Sequence, residues 1–254
     1  MPVVLVEKQT PQITRITLNR PERRNALTIE LMSELTAAIE AAAADPNQRI
    51  LILRGAGKAF CTGLDLEAAA DNSKAHATAE KVAQMLLALA ETRLVTIATV
   101  HGAAVAGGAG IMSACDFVVA AERTKIGYPE VRRGLVAGLV MTFLRRQLRE
   151  RDLRELLLAS ELIDAERAFE IGLVNRVVPA AELENEAQKI AASVLQGAPG
   201  AITNSKRLME ELWSTSFRDD IERALGHHME ARESAEAKEG IAAFNEKRPP
   251  NWVS

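Results

Sequence analysis

The sequence predicts an α/β fold, a parallel sheet with crossover helices, followed by a helical C-terminal region. Three observations carry this expectation. Short β-branched runs alternate with stretches of helical periodicity as far as residue 121. Beyond about Gly138 one helical pattern follows another. A chain of 254 residues with only 2 Trp, 1 Tyr and 6 Phe must also build its core from aliphatic side chains.

The elements follow in order. Residues 3–7 and 13–18 cluster β-branched side chains on either side of Pro11, as a strand pair does. Residues 28–43 place Ile29, Leu31, Met32, Leu35 and Ile39 at helical spacing, with Thr28 as N-cap and Glu30 in the first turn. Residues 50–53 form a short apolar run ended by Gly55, which suits a strand covered on both faces. A glycine-bearing loop and a helix over 75–91 come next, then strands at 95–100 and 117–121. Helices are expected over 139–147, 151–158, 165–170, 183–195, 201–212, 217–231 and 235–245, with one strand at 173–178 closed by Pro179. No repeat or low-complexity linker divides the chain. The organisation expected is an α/β core over 1–195 and a helical region over 196–254.

Charge and composition narrow the function classes. Lys and Arg total 31 against 34 Asp and Glu, a net of −3. Nucleic-acid binding takes clustered positive charge, so that class is not expected. Cys61 and Cys115 are the only cysteines, which argues against a disulfide framework and for a reducing, cytoplasmic setting. The opening residues 1–8 lack the length and charge of a secretory signal. From Leu94 to Cys115 no Asp, Glu, Lys or Arg occurs, enough to span a bilayer. The stretch nevertheless contains His101 and divides into a β-branched half and a Gly/Ala half, so no membrane partner is expected.

Two loops are suited to chemistry. After the strand at 95–100 comes His-Gly-Ala-Ala-Val-Ala-Gly-Gly-Ala-Gly (101–110), entering a helix-forming run. Glycines at a helix entry leave unpaired backbone N–H groups facing outward, where they and the helix dipole can stabilise an anion or a developing oxyanion. A phosphate-binding P-loop needs lysine and a hydroxyl where Gly108 and Ala109 stand. A dinucleotide fingerprint fails at Ser113. The second loop, 58–66, leaves the C-terminal end of the strand at 50–53, where α/β sheets place ligands. Its Cys61 has no histidine placed to activate it and reads as a small buried thiol. His101 reads as a packed strand-end residue, and His227 and His228 as ordinary mid-helix residues. The arginines at 145, 146, 149, 151 and 154 alternate with acids, as on a solvated or intersubunit helix face.

Six segments in order resemble the crotonase (enoyl-CoA hydratase/isomerase) superfamily over nearly the whole chain. They are 19–27 (Asn-Arg-Pro-Glu-Arg-Arg-Asn-Ala-Leu), 60–66 (Phe-Cys-Thr-Gly-Leu-Asp-Leu), 101–116, Gly-Tyr-Pro-Glu at 127–130, 172–179 and 239–248. The resemblance implies a spiral of ββα units with a helical C-terminal trimerisation region, in homotrimers commonly paired as hexamers. It implies a coenzyme A thioester substrate and neither metal nor redox cofactor. By motif position, the backbone N–H groups of Leu64 and Gly107 would polarise the thioester carbonyl. The backbone from Leu64 through Asp65 and Leu66 to Glu67 would run along the coenzyme, and Phe244 and Lys247 would close its pocket. Leu66, Leu135, Val136, Leu139 and Phe143 are candidates for the acyl pocket.

The resemblance also implies which side chains move protons. Hydratases of this family carry two glutamates; the second position is Glu130, whereas Gly110 stands at the first. Taken alone, Glu130 could be a surface carboxylate at a helix start, with Arg132 and Arg133 either pairing with it or facing solvent or the coenzyme phosphates. Hydration needs an activated water and a proton donor, and losing one acid/base partner costs about 10²–10⁴ in rate. Moving a double bond from the 3,4 to the 2,3 position needs one base that collects a proton at C2 and returns it at C4. The sequence therefore leans toward enoyl-CoA isomerisation. Hydration with a substitute acid or water, decarboxylation, hydrolysis, ring opening, and acyl-CoA binding without turnover remain the alternatives.

Overall fold

The computed structural model describes residues 2–65 and 75–252. The chain opens with an antiparallel pair, β1 (Val4–Thr10) and β2 (Ile13–Leu18). Helix α1 (Ile29–Ala44) follows, its first turn capped by Thr28, whose hydroxyl accepts the Leu31 N–H at 3.2 Å. Strand β3 (Ile50–Gly55), helix α2 (Ala75–Glu91) and strand β4 (Val95–Val100) come next, and every residue of β4 is buried. A three-residue strand β5 (Ala103–Val105), the short helix α3 (Gly107–Ser113), β6 (Phe117–Ala121) and β7 (Lys125–Gly127) complete the strand-rich part. Helices α4 (Gly138–Gln147), α5 (Glu150–Arg154) and α6 (Ala165–Glu170) lead to β8 (Arg176–Val178). Helices α7 (Leu183–Leu195), α8 (Pro199–Glu211), α9 (Phe217–Glu233) and α10 (Ala235–Asn245) end the chain.

Among the described residues the strands form a six-stranded sheet ordered β1-β2-β3-β4-β6-β8, parallel from β2 onward, and a separate pair β5-β7. Alternation along β3 explains its unbroken apolar run. Leu51 and Leu53 face the large core with Leu31, Leu35 and Leu86, while Ile50 and Ile52 face a smaller core closed by Ala187 and Ala191 of α7. The α/β class and the helical C-terminal region are as the sequence predicts.

Three local readings need correction. The expected strand at 173–178 is paired only from Arg176. Ahead of it, Gly172 at φ +86° turns the chain back, and the Leu173 and Val174 N–H groups both donate to the Ala168 carbonyl, ending α6. The helix expected over 151–158 divides into α5 and a π-helical turn at Glu155–Ala159, closed by Ser160 in the left-handed region. Strands β5 and β7 were not legible, because a three-residue strand has too few positions to show alternation.

Candidate active site

The two glycine-bearing loops leave the C-terminal ends of β3 and β4 and are stitched together. Phe60 N–H donates to His101 O at 2.9 Å, Cys61 N–H to Ala103 O at 3.2 Å, and Val105 N–H to Cys61 O at 3.0 Å. Just beyond this seam, Gly63 at φ +85° abuts the start of α3. A Cβ on Gly63 would stand 2.9 Å from both Ala106 Cβ and Val105 O, and 3.3 Å from Gly107 N. Only glycine allows this closure.

Leu27 joins the seam from the other side, donating to Gly63 O at 2.8 Å and accepting from Asp65 N–H at 2.9 Å. Those bonds direct the Leu64 N–H away from Leu27, and it has no partner among the described residues. Gly107 opens α3, so no preceding carbonyl can take its N–H. Both residues line the same cavity.

The loop before α1 holds this arrangement. Asn25 is fully buried at φ +55°. Its Nδ2 donates toward Ala56 O, Ala59 O and Phe60 O at 2.9, 2.9 and 3.0 Å, and its Oδ1 accepts the Arg20 N–H at 2.8 Å. Asn25 lay inside a motif without an assigned role; the signal available was a residue type that tolerates the left-handed region. Asp65, expected beside the coenzyme, has its carboxylate engaged by Arg20 at 3.1 Å and Arg23 at 3.2 Å. Leu66 and Glu67 lie outside the described residues.

Glu130 begins a 3₁₀ turn after β7 and Pro129. Two residues before it, the buried Tyr128 hydroxyl meets Ser113 Oγ at 2.8 Å, tying the Glu130 segment to α3. Glu130 Oε2 is buried without a hydrogen-bond partner. Burial pushes this carboxyl up to about 7, opposed in part by its own backbone N–H and the Arg133 charge. Neither neighbouring arginine forms an ion pair with it. Arg133 stacks over the Phe244 ring at 4.6 Å, and Arg132 donates to Ala159 O at 3.2 Å. At Gly110, a side chain would run into Cγ1 of Val140 from α4, so the space is already filled with hydrocarbon.

A cavity of about 760 Å³ unites these parts. Leu64, Asp65, Gly107 and Glu130 line it, as do Leu135, Val136, Leu139 and Val140, and Phe244 and Lys247 of the same chain. Phe143, expected at the acyl pocket, is instead buried against Phe217, ring centroids 4.7 Å apart. Arg146 also departs from expectation: only 6% of its side chain is exposed. It pairs with Glu210 and Asp220 and lies over the Phe217 ring, because α8 and α9 fold across the face read as solvated. Cys61 is fully buried, its thiol donates to Asn25 O at 3.1 Å, and burial pushes it up to about 12, which disfavours the thiolate. His101 bonds Gly57 O at 2.9 Å. Among the described residues no group of three His, Cys, Asp or Glu side chains could hold a metal ion, and no helix is long and apolar enough to cross a membrane.

Residues 8–254 match the family described as enoyl-CoA hydratase/isomerase. A crotonyl-CoA hydratase of Syntrophomonas wolfei is 34% identical over 262 residues, spanning 99% of this chain and 98% of that protein. An enoyl-CoA hydratase structure from Mycobacterium avium superposes with a TM-score of 0.89 at 33% identity, covering 99% of each chain. A carnitinyl-CoA hydratase structure from the same organism gives 0.86 at 30% identity, covering 100% of this chain and 99% of the other.

Proposed function

Because the chain belongs to the enoyl-CoA hydratase/isomerase family, we propose that it shifts the double bond of enoyl-CoA thioesters, with Glu130 as its single proton carrier. The thioester oxygen sits between the N–H groups of Leu64 and Gly107. Charge developing on it as C2 loses a proton is shared by two donors that no other group occupies, each worth about 3–4 kcal/mol in the transition state. Glu130 takes the proton from C2 and returns it at C4. A carboxyl near 7 suits both steps, since it is strong enough as a base and readily gives the proton back. The coenzyme runs past Arg23 toward Phe244 and Lys247, all on the cavity wall. No metal or redox cofactor enters.

The observation that carries this reading is Val140 packed where a second carboxylate would need to stand at position 110. Hydration is the second reading, favoured by the names of the relatives, and it requires a water or another group to supply the missing acid. Ultraviolet absorbance separates the two. Isomerisation appears as gained conjugation with 3-hexenoyl-CoA, hydration as lost conjugation with crotonyl-CoA. Full turnover by Glu130→Gln would overturn the role of that residue in either reaction.

A homotrimer or hexamer belongs to the same proposal. Leu208, Met209, Leu212 and Trp213, at the end of α8, are exposed at helical spacing, as a surface that meets another copy would be. Two free buried cysteines fit a cytoplasmic setting.

A further inference from the structure

Leu64, Gly107 and Glu130 share their cavity with a stretch of hydrocarbon lining. Val82 of α2 and the segment 135–140 supply it, and Val140 meets α3 at Gly110, one turn past Gly107. Among the described residues, His228 of α9 is the histidine that lines the same cavity. Helix α9 approaches the segment closely. A Cβ on Gly138 would lie 3.0 Å from the Ala224 carbonyl oxygen, one turn before His228. The chemistry proposed above makes no use of this histidine.

From this placement we infer that His228 selects acyl chains bearing a hydroxyl group. The inference rests on the cavity being an acyl-CoA site and adds the chemical class of the chain. His228 Nδ1 lies 3.3 Å from the Val136 carbonyl oxygen. A carbonyl oxygen only accepts, so Nδ1 carries the ring proton and Nε2 presents a lone pair. Nε2 has no partner among the described residues. Burial and the positive Arg232, one turn further along α9, lower the tendency of the ring to take a second proton, opposed in part by the Val136 hydrogen bond. Once an acyl chain displaces water from the cavity, a neutral Nε2 is satisfied only by a donor on that chain. A hydroxyl supplies one, whereas a methyl group leaves Nε2 unpaired.

Binding of saturated acyl-CoA esters, measured by calorimetry on the full chain, tests this without turnover. The probes are n-acyl esters of four to eight carbons and their ω-hydroxyacyl counterparts. At one chain length the hydroxyacyl ester binds about tenfold more tightly than its n-acyl counterpart, the worth of roughly one hydrogen bond. In His228→Leu the hydroxyl preference falls to about one, while His228→Gln, which keeps an acceptor, retains part of it; thermal melts establish that both variants fold. Acyl-CoA binding with no hydroxyl preference at any length overturns the assignment of His228 alone. So does a preference that survives in His228→Leu. Failure to bind any acyl-CoA ester overturns the reading of the cavity, and this inference with it.

Discussion

Cγ1 of Val140 occupies the space that a side chain on Gly110 would enter. The two residues belong to α3 and α4, and Val140 also lines the cavity. Restoring a carboxylate at position 110 therefore takes more than one substitution. Gly110→Glu alone is expected to lose about 1–3 kcal/mol through overpacking, with no gain in crotonyl-CoA hydration. Adding Val140→Ala should recover part of the loss and allow hydration to rise. Urea denaturation with the absorbance assay checks both, and Gly110→Glu hydrating faster at parental stability would contradict the packing argument.

The pH dependence of turnover reports Glu130. Its carboxyl must be ionised in the free enzyme to take the C2 proton, and burial sets it near 7. The kcat/KM for a 3-enoyl ester should rise tenfold per pH unit below about 7 and level off above it. A profile already flat at pH 5 would mean that another group, or a far more acidic Glu130, is the base. Glu130→Gln should lower the rate by about 10²–10⁴ across the whole range.

Stability should change with pH in the opposite sense. In the unfolded chain this carboxyl ionises near its ordinary 4.5, whereas in the folded chain it holds its proton to about 7. Folding therefore loses stability from this group as pH rises from 4.5 to about 7, by up to about 3 kcal/mol, and no further above. Glu130→Gln should accordingly be more stable than the parent at pH 8, and the difference should shrink toward pH 4.5. Denaturation midpoints at the two pH values measure this.

Asn25→Ala removes the side chain that holds three carbonyls of the 56–60 loop and places alanine at φ +55°. Unpaired buried acceptors and backbone strain together are expected to cost about 3 kcal/mol or more. Asn25→Gly relieves the strain but not the lost bonds, so it should recover only about 1 kcal/mol. Guanidinium unfolding of the two variants separates the contributions.

Both cysteines are buried, and burial pushes both thiols up to about 12. Folded protein at pH 8 should resist iodoacetamide, and both thiols should react once it is denatured. Mass spectrometry counts the adducts; rapid labelling of Cys61 in the folded state would reopen its case as a nucleophile.

Elements whose side chains face one consistent environment were legible in the sequence. Apolar runs marked β3, β4 and β6, helical periodicity with a threonine cap marked α1, and glycines marked the loops that end β3 and β4. Glu130 and the 64 and 107 positions were assigned from motifs, because short motifs keep loop residues and their neighbours in fixed order. Periodicity says which face of an element is buried, but not what lies against it. Only the folded chain sets Val140 against Gly110, lays Phe244 over Arg133 beside Glu130, and brings His228 to the Val136 carbonyl at the cavity. These contacts join segments far apart along the chain, so burial, and with it the basicity of Glu130, was decided by packing between elements rather than by any local pattern.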